Sequence, residues 1–245
     1  MTGPATGPTP HSRGEELLLA RISAAAGRAH LGKRRATYAG AAHPTRPPAG
    51  PARVIRCLLA FARYGRPSAT KARAEARLDL YEHGMTVAVR RRIHLIRYDT
   101  TSVFHKGARL PHDSAGAGPT RLYTLTDIEG KQVELYGELG DSDAGEWVPE
   151  VQRAVTRAQL PRALAALDAG ERLTFGDVWL TREEVGSGEV SARWPQVRQM
   201  ETTYGTIRLN IDGNWHTLAP TAATIPNLFV FHTLVEHFRT GGVHG

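Results

Sequence analysis

Four stretches of the chain carry residue types that could do chemistry. Gly27-Arg-Ala-His-Leu-Gly32-Lys33-Arg34 approaches the spacing of a phosphate-binding loop. Such a loop needs Ser or Thr after the lysine to hold magnesium, and a buried strand before it. Arg34 stands where the hydroxyl would be and the preceding residues read as a helix, so nucleotide binding is not expected. His232, Glu236 and His237 suggest a metal-binding helix, but the two histidines are five apart rather than four and face different ways. His232 falls in an apolar stripe and reads as a hydrogen-bonded core residue. His105, His112 and Asp113 flank a Gly-rich loop near Ser102 and Ser114, yet no spacing places a nucleophile beside a base. The fourth stretch, Arg90-Arg91-Arg92, sits at a predicted hairpin and by itself reads as a solvated tip. The chain is therefore expected not to be an enzyme and to hold neither metal nor cofactor.

Charge is the stronger signal. Residues 1–72 hold 12 Lys and Arg and only Glu15 and Glu16, a net of +10, while residues 73–245 hold 19 bases and 22 acids, a net of −3. Such asymmetry marks a basic tail on an ordinary domain, attracted to anionic surfaces. The single Cys57 excludes an intrachain disulfide and fits a reducing compartment. The N-terminal residues do not read as a secretory signal, and no apolar run reaches the ~18 to 20 residues of a membrane-spanning helix.

The elements that would position these residues follow from periodicity. Residues 1–14, rich in Pro, Gly and Thr, are expected to be disordered. Residues 15–31 read as a helix, with Leu18, Ile22 and Ala25 on one face and Leu19 and Ala26 beside them. A Pro-rich linker covers 39–51. Residues 52–66 have two readings. Arg53, Arg56 and Arg63 share one helical face, which suits a basic amphipathic helix lying on a membrane. The segment could equally pack on the domain behind it, as short amphipathic segments usually do.

From residue 76 the pattern is short strands with Gly turns, a meander. A stripe of Trp147, Val151, Ala154, Val155 and Ala158 then marks a helix, extended past Pro161 by Leu164 and Leu167 and stopped at Gly170. The order restarts. ERLTFGDVWLT (171–181) reads as one strand, followed by a hairpin, a further strand and a hairpin with Asp212-Gly213 at its turn. A closing helix has Pro226 in its first turn and Ile225, Leu228, Phe229, His232 and Val235 along one face.

Strands then helix, twice, is a repeat of architecture. IRYDTTSVF (96–104) also aligns with ARWPQVRQM (192–200), with Tyr98 and Trp194 in register. A curved sheet of this size cannot close its own core, so a helix must plug it. The strand ends HLIRYDTTSV and EVSARWPQV resemble those of bacterial pleckstrin-homology (PH)-like and GRAM-like domains. More closely, LGKRRATY (31–38), LDLYEHGMTV (78–87), LPRALAALDAGERLTFG (160–176) and IPNLFVFHTLVE (225–236) resemble an uncharacterised family of high-GC Gram-positive bacteria with tandem PH-like domains. The resemblance spans roughly residues 31–238. Some relatives carry a long hydrophobic segment where this chain has the short, arginine-bearing 52–66.

The fold expected is α+β: a basic arm over 1–51 with a helix near 15–31, a first PH-like domain over 52–169 and a second over 170–245. Each is a curved antiparallel sheet plus a C-terminal helix. The resemblance implies that basic residues near the first domain's hairpin clasp an anionic headgroup or acidic peptide. The candidate binding residues are Arg90, Arg91 and Arg92, with Lys33, Arg34, Arg35, Arg53, Arg56 and Arg63 of the arm. The function expected is non-catalytic docking in the cytoplasm, to a protein partner or to the anionic inner face of the membrane. The alternatives are nucleic-acid association through the arm, which the scarcity of aromatics disfavours, and an enzyme with an unrecognised site.

Overall fold

The computed structural model describes residues 13–39, 77–89, 92–108, 120–138, 147–203 and 205–241. Among these residues it is an α+β structure of antiparallel sheets and three α-helices. Helix α1 (Arg13–Arg28) leads into a four-stranded sheet of β1 (Arg34–Ala39), β2 (Arg77–Tyr81), β3 (Gly84–Val89) and β4 (Arg92–Arg97), in that spatial order. A three-stranded sheet follows, β5 (Val103–Ala108), β6 (Thr120–Thr126) and β7 (Gln132–Glu138), and then helix α2 (Trp147–Asp168). The same order recurs. Strands β8 (Leu173–Phe175), β9 (Val178–Leu180), β10 (Glu184–Ser187) and β11 (Val190–Arg193) form one sheet. Strands β12 (Val197–Thr203), β13 (Thr206–Ile211) and β14 (Asn214–Ala219) form another, before helix α3 (Leu228–Gly241).

Alternation assigns the faces. Leu78, Leu80, Met85, Val87 and Ile96 point into the main core, where α2 adds Trp147, Val151 and Val155. Each such buried side chain contributes about 1.5–3 kcal/mol. The opposite face of the first sheet is also covered: Tyr81 packs with Ala26 and Leu31 at the end of α1, and Leu95 joins them. On that face lies Asp79, fully buried, which accepts from the Arg77 guanidinium at 2.8 Å and from the Thr37 hydroxyl at 2.6 Å. Just past the end of α1, His30 and Gly32 take positive φ, and the chain turns straight into β1. There the Leu31 carbonyl accepts from the His83 amide at 2.9 Å.

Several expectations change. Residues 34–39, read as part of an arm, are a strand hydrogen-bonded along β2. The turn after β2 is Glu82-His83, and Gly84 opens β3. The stretch 171–181 is two strands because Gly176 takes φ +64°, and a Cβ there would lie 2.8 Å from the Thr224 carbonyl. Helix α3 begins after Pro226, at Leu228, and buries Val230, Phe231, Leu234 and Val235; Leu228, Phe229 and His232 are only half-buried. The segment 52–66 lies outside the described residues.

Tyr98 and Trp194 each follow the fourth strand of their sheet and are buried at 2% and 4% exposure. Trp194 stacks on Phe238 of α3, ring centroids 5.4 Å apart, and its indole N–H donates to the Thr181 carbonyl. The halves meet at Asn227, which is buried at φ +49°. Its Oδ1 accepts from the Val103 amide at 2.8 Å, and its own amide donates to the Val103 carbonyl at 2.8 Å. Its Nδ2 donates to the Thr101 carbonyl at 3.0 Å and to Gln159 Oε1 of α2 at 2.9 Å.

Candidate functional site

A groove of about 630 Å³ opens between α1, β4 and the β6–β7 turn. Arg21 and Arg28 line it from the helix, Arg92 and His94 from the strand, and Asp127 and Lys131 from the turn. The turn is rigid for a local reason. Asp127 Oδ1 accepts from the amides of Glu129 at 3.0 Å and Lys131 at 2.8 Å, an Asp-closed turn with Gly130 at φ +78°. Asp127 Oδ2 meets His94 Nδ1 at 2.8 Å, and the Ile128 amide donates to the Leu95 carbonyl at 2.9 Å. The turn is thus held against β4.

Arg21, Arg28, Arg92 and Lys131 outnumber the two carboxylates of the lining, Asp127 and Glu129, so the groove carries a net positive charge. Lys131 pairs with Glu129, which raises the lysine's pKa, while the neighbouring Arg92 charge opposes that rise. Arg28 and Arg92 have no carboxylate partner among the described residues. Two cations held beside a structured turn, with Lys131 close by, suit an oxyanion such as a phosphate or carboxylate.

The sequence-predicted residues divide. Arg92 lies in the groove. Arg35 instead bonds Glu82 at 2.7 Å, and Arg34 sits 3.7 Å from buried Asp79. The Lys33 amide donates to Glu82, which holds that exposed carboxyl below its ordinary range. The Arg34 and Arg35 side chains and the Lys33 backbone are thus engaged with β2 and its turn. Arg53, Arg56, Arg63, Arg90 and Arg91 lie outside the described residues. Sequence reasoning missed Arg21, Arg28, His94, Asp127 and Lys131. Arg21 and Arg28 were assigned to an arm, and only the packing of α1 on the sheet brings them to β4.

The other chemical candidates disperse. The near match to a phosphate loop occupies the end of α1 and the turn into β1, and a helix C-terminus repels rather than attracts phosphate. His237 packs edge-on against Phe238, whereas His232 bonds the Thr202 hydroxyl at 3.2 Å. His112 and Asp113 lie outside the described residues. No cluster of three or more His, Cys, Asp or Glu among the described residues could hold a metal, and none of the described helices is long and apolar enough to cross a membrane.

Burial pushes the His232 imidazole below its ordinary value of 6.5, with Glu236 opposing. The unfolded chain then takes up the proton first, so this contribution to stability is full above 6.5 and is lost as pH falls through the window beneath it. His232→Gln is expected to flatten the decline in urea midpoint between about pH 7 and about pH 5. An unchanged decline in the variant would show that the ring is not the sensitive group.

Residues 58–241, most of the chain, match the model of a family of unknown function, DUF6585. The match begins after α1 and β1. No curated protein matches the chain.

Proposed function

The chain belongs to the DUF6585 family, and we propose that it is a non-catalytic docking protein of two tandem PH-like domains. In this reading the first domain binds the anionic inner face of the membrane through the groove between α1, β4 and the β6–β7 turn. The observation that carries it is that Arg28 and Arg92 line one groove whose two carboxylates are already engaged, Asp127 with His94 and Glu129 with Lys131. Four strands, three strands and a helix, twice over, support the PH-like assignment. So do the matching positions of Tyr98 and Trp194 after their fourth strands. A charge near an anionic leaflet is worth about 1 kcal/mol, and salt screens it.

Flotation of the full chain with phosphatidylglycerol–phosphatidylcholine vesicles tests this. Retention is expected on these vesicles and not on pure phosphatidylcholine, and about 1 M salt should abolish it. Arg28→Glu with Arg92→Glu should weaken it roughly tenfold or more. If the double variant floats like the wild type, the groove is not the docking surface. Failure to float at any salt, alongside capture of an acidic protein that the double variant loses, would replace the membrane with a protein partner.

A further inference from the structure

A cavity larger than the groove lies elsewhere, about 880 Å³, and both halves of the chain wall it. The first half contributes His105 and Tyr123, and the second contributes Thr202, Leu228, Phe229 and His232. Among the described residues no Asp, Glu, Lys or Arg lines it, although charged residues make up 22% of the chain. Ligand-binding clefts typically enclose about 300–1,000 Å³ and have mainly apolar and aromatic walls with a few polar groups.

The wall chemistry defines what fits. His105 and Tyr123 are stacked, with centroids 5.1 Å apart and planes 23° from parallel, and Phe229 lies on the α3 side. Aromatic walls favour a flat ring set beside or edge-on to them. Among the polar groups on the wall are the Gln152 amide, the Thr202 hydroxyl and the His232 imidazole, the last two 3.2 Å from each other. Burial keeps that imidazole in its neutral form near pH 7. An ionic ligand would lose its hydration and find no opposite charge among the described walls. The cavity also stands ready-formed, because Asn227 ties the base of α3 to β5 and to α2 across the seam. Leu228 and Phe229 are apolar yet only half-buried, which is what the wall of an open cavity requires.

We infer that the cavity between the two halves is a second binding site, distinct from the basic groove, for an uncharged, flat, largely apolar small molecule with a hydrogen-bonding edge. Nile red is a suitable probe, being neutral, planar and brighter in apolar surroundings. Titrated into the full chain, it is expected to bind saturably at one molecule per chain. Anilinonaphthalene sulfonate, similarly aromatic but anionic, should bind at least tenfold more weakly. Thr221→Trp at the exposed rim and Ala223→Trp on the lining should each weaken Nile red at least tenfold. Arg28→Glu with Arg92→Glu should leave it unchanged. Amide chemical shifts measured on the wild-type chain need no variant: dye should move Thr202, Gly205 and Phe229 and leave the α1–β4 groove still. Several dyes per chain, equal affinity for the sulfonate, full affinity in a folded rim variant, or shifts centred elsewhere would each overturn the assignment. Because the groove variant is neutral in this experiment, loss of the membrane reading would not touch it.

Discussion

Asn227→Gly is expected to lower the unfolding free energy by about 3 kcal/mol, and Asn227→Ala by about 4 kcal/mol. The first figure is the loss of three side-chain hydrogen bonds, to the Val103 amide, the Thr101 carbonyl and Gln159. Each is worth about 1 kcal/mol net. The Val103 amide is left buried with its acceptor removed, whereas the Thr101 carbonyl keeps a bond from Gln159 Nε2 at 2.9 Å. The difference between the two variants is the cost of a left-handed backbone for a residue with a Cβ, about 1–2 kcal/mol. Equilibrium urea unfolding of both variants separates these terms. Since the lost bonds join the two halves, the glycine variant should also lose coincidence between fluorescence and circular-dichroism transitions. A change under about 1 kcal/mol would mean that water replaces the side chain without loss and that the seam is not held here.

Gly84→Ala is expected to destabilise by about 3 kcal/mol or more. A methyl there would lie 2.2 Å from the Ile96 carbonyl oxygen and 2.8 Å from Leu31 Cδ2. The oxygen belongs to the neighbouring strand, where Gly84 is paired with Arg97, so it cannot swing aside as a side-chain tip would. Leu31 is the softer neighbour. Its displacement would loosen the end of α1, whose residues Arg21 and Arg28 wall the groove. Hydrogen exchange is expected to rise in α1 more than in α3, and vesicle retention to fall even where the chain remains folded. Uniform acceleration throughout the chain would show that the sheet, rather than the helix contact, gives way.

The helices and most strands were legible because their apolar residues repeat at the period of the element. Helix α2 buries Trp147, Val151 and Val155 from the predicted stripe, and it runs through Pro161. Strand β1 was not legible. Its sequence RRATYA has only Ala36 and Tyr38 to turn inward, and its partner β2 lies some forty residues on, at the separation of Thr37 from Asp79. The face of α3 was misread because apolar residues at 228–231, 234 and 235 make a stripe too broad to choose within. Packing chose Phe231 for the core, against Phe175, and left Phe229 beside the cavity. Of the groove only Arg92 was legible. Arg28, Arg92 and Lys131 are far apart in the chain; the docking of the β6–β7 turn on β4 brings Lys131 to Arg92, and the packing of α1 on the sheet brings Arg28.

The bracket at Asn227 also bears on the order of events during synthesis. Val103 leaves the ribosome 124 residues ahead of the side chain that satisfies its amide. At about 5–20 residues per second, that interval is roughly 6–25 s. Through it the first sheet-and-helix unit exists with one rim unfinished, long after its own helix has emerged. The last helix therefore does more than plug its own sheet. It is the late-arriving clasp on a half that was translated first, and until it arrives the nascent chain has an open seam within reach of other chains.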